Sequence, residues 1–303
     1  MMKLQPLIVM SILAALLLGC TAPPTDLLPT VTLSVPTDTP AIPTSTSEPP
    51  TPTSMTEPPT PTSTIDLPTS TPAPQATSTS EPVERPDESI QILSPGPGSR
   101  VLSPIQISGE ADPTFEQTLV VTVLLADGTE LTTVPVQIMA DIGQRGPFSA
   151  EIPFTFSGET QGFIQVYATS ARDGGVTHLS SVGVTFADSG SENIIPVEAG
   201  PEQIFISQPQ QGETITGGVA HVEGFALAGF EQTLIVDVLD QEGNVIGSQP
   251  LIVQAPDLGQ PGPFTADVPY TLTTAGAGRI VVRDPSPAFG GDVHLSSVEI
   301  DLE

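Results

Sequence analysis

Three histidines, a single cysteine and a few carboxylates at turns are the groups in this 303-residue chain that could do chemistry. His178 opens His178-Leu179-Ser180-Ser181-Val182, and His294 opens the same five residues further on. The two are repeat equivalents, whereas His221 has no twin because Gln106 stands at its position. One imidazole per repeat cannot build a His-rich metal site, and no cysteine lies nearby to complete one. Each ring is therefore expected to pack or cap locally, at a turn or strand edge. Glu116 and Glu231 recur between a phenylalanine and a strand, in Phe115-Glu116-Gln117-Thr118 and Phe230-Glu231-Gln232-Thr233. A carboxylate there can face a ligand or accept loose backbone N–H groups. The second role is expected, since a lone carboxylate lacks the partner that acid–base hydrolysis needs. Asp127-Gly128 and Asp173-Gly174 resemble pieces of a calcium loop, but the alternating acids and distal glutamate are missing, so they read as turns. Ser180-Ser181 and Ser296-Ser297 lack a nucleophile-elbow setting. No catalytic constellation follows, and neither an enzymatic activity, a metal nor a cofactor is expected.

Charge and aromatic content exclude further classes. Seven basic residues against 35 acidic ones give a net charge of −28, and the only lysine is Lys3. Binding phosphate backbones needs clustered Lys and Arg, so nucleic acid is excluded as a partner. There is no tryptophan, and Tyr167 and Tyr270 are the only tyrosines, which disfavours a ring-stacking platform for sugars.

The elements that carry these residues are written twice. Phe115–Leu119 returns as Phe230–Leu234, Gly146-Pro147-Phe148 as Gly262-Pro263-Phe264, and His178–Val182 as His294–Val298, at an offset of 115 to 116 positions. Within each copy apolar residues alternate with period two, the mark of half-buried strands. Leu119, Val121, Val123 and Leu125 share one face; Leu234, Val236 and Val238 repeat it, with Thr122 and Asp237 pointing outward. Phe148, Ala150, Ile152, Phe154 and Phe156 face inward in a later strand. About seven strands are expected per copy, in the first at 90–94, 104–109, 118–125, 130–139, 148–156, 161–169 and 179–187. Pro153 and Pro269 within a strand mark it as an edge or a bulge. Seven short alternating strands in about 100 residues point to an all-β chain of two tandem β-sandwiches. The domains are placed at 89–188 and 203–303, joined by a linker at 189–202. Arg279 and Arg283, outward in the second copy, are replaced by Phe163 and Tyr167 in the first, giving the copies different surfaces.

Upstream the chain is of another kind. A short apolar run from Leu7 to Leu18 follows Lys3; at about 12 residues it is too short to span a bilayer but suits a signal peptide. It ends in Leu17-Leu18-Gly19-Cys20, which resembles a lipobox. That resemblance implies cleavage before Cys20 and diacylglycerol on its thiol, hence a lipid anchor in a bacterial membrane and an extracytoplasmic location. Residues 21–88 are a Pro/Thr/Ser tether, with no hydrophobic period to build a core, and are expected to be disordered. Fully extended, 68 residues would reach on the order of 200 Å.

The repeats also carry a family resemblance. Ile92 to Ser99, Gly109, Phe115 to Thr118, Gly146 to Phe148 and Asp173-Gly174 are similar to the motifs of the immunoglobulin-like Gmad2 domain. The second copy keeps Gly224, Phe230 to Thr233 and Gly262 to Phe264, but has Gln208-Pro209 where the first has Ser-Pro, and Phe289-Gly290-Gly291 at the late turn. The resemblance implies two tandem immunoglobulin-like β-sandwiches and an envelope-associated binding or assembly module, with a link to spores in the family's name. Phe115, Glu116, Phe148 and His178, with Phe230, Glu231, Phe264 and His294, are the candidate motif residues, read as structural. The expected function is non-catalytic: a lipid-anchored surface protein presenting two domains to an envelope protein or wall polymer. The alternatives are a passive spacer, or an ectodomain accessory to an extracellular enzyme or sensor. The sequence leaves the oligomeric state open.

Overall fold

A computed structural model of the chain describes residues 85–227 and 229–303. Cys20, expected to carry the lipid, and nearly all of the expected tether lie outside the described residues. The first domain runs through β1 (Ile90–Ser94), β2 (Arg100–Val101), β3 (Ile105–Ala111), β4 (Thr118–Leu125), β5 (Glu130–Gln137), β6 (Gly146–Ile152), β7 (Glu159–Thr169) and β8 (Val176–Ala187). The second repeats the order in β9 (Ile204–Gln208), β10 (Thr214–Ile215), β11 (Val219–Ala226), β12 (Thr233–Leu239), β13 (Val245–Ile252), β14 (Gly262–Pro269), β15 (Gly276–Pro285) and β16 (Asp292–Leu302). In each copy a three-stranded sheet faces a larger one. These are β1-β3-β6 against β5-β4-β7-β8, and β9-β11-β14 against β13-β12-β15-β16.

The alternating residues fill the two cores. Leu119, Val121 and Val123 of β4 meet Ile105 and Ile107 of β3 and Phe148 of β6 in one. Leu234, Val236 and Val238 meet Ala220, Val222 and Phe264 in the other. Burying each such side chain fully contributes about 1.5–3 kcal/mol. The phenylalanine of each Gly-Pro-Phe motif lies over a glycine on the neighbouring strand. A Cβ on Gly109 would come within 2.0 Å of the Gln91 carbonyl and 2.5 Å of the Phe148 ring; one on Gly224 would meet Phe205 O at 2.2 Å and Phe264 at 2.3 Å. This is why a glycine recurs near the end of that strand.

The expected strands are all present, with shifted ends. The strand expected over 148–156 ends at Ile152, yet Phe154 stays buried, edge-on to Phe186 at 5.4 Å. Pro153 follows β6 and Pro269 closes β14, and both strands are sheet edges, where a missing N–H costs least. The segment expected as a linker is fastened to the first domain. Gly96 N donates to Ile195 O, Val197 N to Leu93 O, and the Arg100 guanidinium to the Ser189 and Ser191 carbonyls.

The two domains join edge to edge. β16 pairs antiparallel with β8 through Leu295↔Leu179 and Ser296↔His178, making one continuous sheet in the order β13-β12-β15-β16-β8-β7-β4-β5. Leu179 and Leu295 are repeat equivalents facing each other, so the junction has a local twofold relation. The outer edge of each joining strand is shared in the same way, with β2 beside the far end of β8 and β10 beside the far end of β16, both parallel.

Candidate functional site at the domain junction

The twofold relation brings equivalent side chains from the two repeats together. His178 and His294, at the leading ends of β8 and β16, have ring centroids 5.7 Å apart and stand nearly perpendicular. The expectation that one imidazole per domain precludes a shared site is thus corrected: the domains meet along the strands that carry them. Two carboxylates complete the group. Glu88 and Glu202 occupy equivalent places, two residues before Ile90 and Ile204 of the first strand in each domain, and are only 6% and 3% exposed.

Each carboxylate is anchored by the other domain's backbone. Gln203 N donates to Glu88 Oε2 at 2.7 Å, and Ser89 N donates to Glu202 Oε2 at 2.9 Å. The remaining oxygens turn to the imidazoles. Glu88 Oε1 lies 2.9 Å from His178 Nε2 and 3.2 Å from His294 Nε2, and accepts from the Ser180 hydroxyl at 3.0 Å. Glu202 Oε1 is 3.6 Å from His178 Nε2. One ligand atom from each residue lies within 4.8 Å of the others, so the four could hold a metal ion. Burial would raise the Glu88 carboxyl, but the two imidazoles outweigh it and hold it well below the usual range. Burial, reinforced by the Glu88 charge and opposed by His178, pushes Glu202 up to about 7.

A second polar group lies on the same junction. Arg279, expected to face outward, is fully buried, with Nη2 3.1 Å from both oxygens of Asp173 in the first domain and Nε 2.9 Å from Glu299. The alternation has the right phase, but the face it assigns to solvent is covered by the neighbouring domain. Asp173 does shape its turn, accepting from Gly175 N, and also serves as the buried partner of Arg279. Despite burial, those contacts keep its carboxyl below the ordinary range. Arg283 binds Asp237 and Asp292, so Asp237, expected outward, is buried too. Thr122, its counterpart, is also buried, 2.7 Å from the Thr133 hydroxyl. Phe163 stacks obliquely on Phe289 at 5.3 Å, Gln165 Nε2 donates to Asp292 O at 2.7 Å, and Leu179, Val281 and Leu295 form a small core between the sheets. The residues read as making the two surfaces differ are thus largely the seam that joins the domains.

The repeated sequence has a counterpart among known families. The family described as the immunoglobulin-like domain of bacterial spore germination, Gmad2, matches residues 89–175 and 203–291, more than half of the chain. The chain belongs to the Gmad2 family. No curated protein matches it. Among solved structures, red sea bream transglutaminase matches over 71% of this chain at 7% identity with a TM-score of 0.26; the match spans 31% of that protein. The titin domains Z1Z2, solved in complex with telethonin, match over 70% of this chain and 94% of their own at 16% identity, with a TM-score of 0.17.

Within each Gmad2 domain the motif residues divide between core, turn and junction. Phe148 and Phe264 are core residues, and His178 and His294 belong to the junction. Phe115 is 60% exposed, and Phe230 lies in the equivalent turn. Glu116 and Glu231 are exposed, with φ of 55° and 52°; in the first copy the expected acceptor role falls to the neighbouring Gln117. Left-handed backbone at two successive residues turns the glutamate out and the glutamine in. Gln117 Nε2 donates to the Asp141 and Gln144 carbonyls, and its Oε1 accepts from Thr114 N, bracing the loop after β5; Gln232 Nε2 donates to Asp257 O in the same manner. Glu88 and Glu202 were missed altogether. Their signal was available as a further repeat, Glu88-Ser89-Ile90-Gln91-Ile92 against Glu202-Gln203-Ile204-Phe205-Ile206.

Proposed function

We propose that this chain is a lipid-anchored, non-catalytic binding or scaffolding protein of the bacterial cell surface. Diacylglycerol on Cys20 would hold it to the membrane, and the Pro/Thr/Ser segment would carry its two Gmad2 domains away from it. The observation that supports this reading is the junction. It fixes two immunoglobulin-like domains in one register and so creates a composite groove of about 520 Å³ that neither domain has alone. Asp112 to Phe115 and Arg172 line it from the first domain; Gln211, Ser297 and Glu299 line it from the second. The buried acids and bases beside it are engaged in joining the domains, which suits a surface of fixed shape better than acid–base turnover. The partner would be an envelope protein or a wall polymer.

The full chain, immobilised, would be exposed to solubilised envelope and to purified cell wall, and retained material identified by mass spectrometry. A single partner released by Phe115→Ser or Arg172→Ser, with the fold intact, supports the reading. A folded chain that retains nothing, even with cross-linking, refutes it and leaves a passive spacer.

A further inference from the structure

The buried junction holds two imidazoles and two carboxylates, and two of their polar atoms are left without partners. Among the described residues, neither Glu202 Oε1 nor His294 Nε2 has a hydrogen-bond partner, although Glu202 and His294 are 3% and 4% exposed. An orphaned buried polar atom carries a desolvation penalty, so two in one cluster require a reason. Both point at the same small space. His294 Nε2 is 3.2 Å from Glu88 Oε1 without the alignment of a hydrogen bond, and Glu202 Oε1 is 3.6 Å from His178 Nε2.

We propose that Glu88, His178, Glu202 and His294 form a structural zinc site that locks the two domains together. Zinc bonds to imidazole nitrogen and carboxylate oxygen are about 2.0–2.2 Å, which places tetrahedral ligand atoms about 3.3 Å apart. Three of the six separations, 2.9, 3.2 and 3.6 Å, bracket that value, and all lie within 4.8 Å. The second oxygens of both carboxylates are already held by Gln203 N and Ser89 N, the outer-shell support that orients a ligand. Two ionised carboxylates and two neutral imidazoles carry charge −2, which zinc neutralises inside the seam. Four protein ligands with no open position make the site structural rather than catalytic. Calcium and magnesium prefer six or more oxygens, and two imidazoles select against them. A cleft of about 220 Å³ lined by Glu88 and His294 gives an ion access. Each repeat supplies one glutamate and one histidine, so duplication turned a half-site into a whole one. The inference stands independently of what the domains bind.

The test uses the full chain with Cys20→Ser, so that no thiol competes. Metal content would be measured after chelator-free purification, followed by zinc titration against a competing chelator. One equivalent per chain is expected. His178→Gln and His294→Gln should each weaken zinc by at least about 100-fold, whereas His221→Gln should change nothing. A folded chain that takes up no zinc, or a folded double variant, His178→Gln with His294→Gln, that binds it as well, overturns the proposal. Should the double variant fail to fold, cobalt(II) in the parent chain decides. The intense visible bands of four-coordinate cobalt support the site, and the weak spectrum of the six-coordinate ion overturns it.

Discussion

Replacing Arg279 by methionine should destabilise the two-domain unit by about 3 kcal/mol. The guanidinium is fully buried and its main partner, Asp173, has a side chain only 2% exposed. Removing one member of a buried pair strands the other charge, which costs about 3–5 kcal/mol. The lower end applies because Asp173 keeps the Gly175 N–H at 2.9 Å and Arg172 at 3.5 Å. The contact with Glu299, 36% exposed, is screened by solvent and adds little. In a folded unit of this size, about 3 kcal/mol lowers Tm by roughly 6–12 °C. Urea unfolding of the parent, Arg279→Met, Asp173→Asn and the double variant closes a double-mutant cycle. The double variant has no stranded charge and should recover to within about 1 kcal/mol of the parent, so the coupling is at least about 2 kcal/mol and grows by whatever Asp173→Asn costs alone. If Arg279→Met shifts stability by less than about 0.5 kcal/mol, or the two losses simply add, Arg279 is not a buried bridge between the domains and the reasoning fails.

The other expected outcomes concern the acid cluster, the glycine contacts and the tight turns. Glu202 titrates at about 7 in the folded chain against 4.5 as its ordinary value, with Glu88, His178 and His294 facing it. The folded state holds its proton in between, so the cost of ionising it is absent below about pH 4.5 and complete above about pH 7, reaching about 3 kcal/mol. Chelator-treated protein should therefore melt lower at about pH 8 than at about pH 5.5, and Glu202→Gln should remove that difference; a difference of equal size in the variant contradicts the assignment. Gly109→Ala or Gly224→Ala drives a methyl into a backbone carbonyl and a core phenylalanine and should cost about 3 kcal/mol or more in denaturant unfolding, while a cost under about 1 kcal/mol would show that the contact yields easily. Gln117→Ala should cost about 2 kcal/mol through two orphaned carbonyls, whereas Glu116→Gly should be neutral or stabilising by up to about 1 kcal/mol because its backbone is left-handed; the reverse ranking by thermal melting would restore Glu116 as the working residue.

The domains themselves were legible because their signals are local. Alternation along Leu119, Val121 and Val123 fixes which face of β4 enters the core whatever the neighbouring strand does. The Gly-Pro-Phe motif marks an edge strand through the proline beyond it. The junction was illegible for the opposite reason. His178 and His294 are 116 positions apart, and only the meeting of two finished sheets brings them together. Glu88 falls at the end of the expected tether and Glu202 at the end of the expected linker, outside both expected domains. Arg279 was misplaced because alternation gives two faces to a strand but cannot say that the second is also covered.

The first described residues lie at the seam between the two domains rather than at a far end of either. Arg85 donates to Glu202 O and lies over the Phe225 ring at 5.2 Å, Asp87 pairs with Pro201, and Glu202 N donates to Pro86 O. A pull applied at Arg85 would therefore be borne by the seam before it reached either sandwich. Under load the seam would act as the mechanical fuse of the protein, yielding by peeling bonds one after another while both cores stay whole.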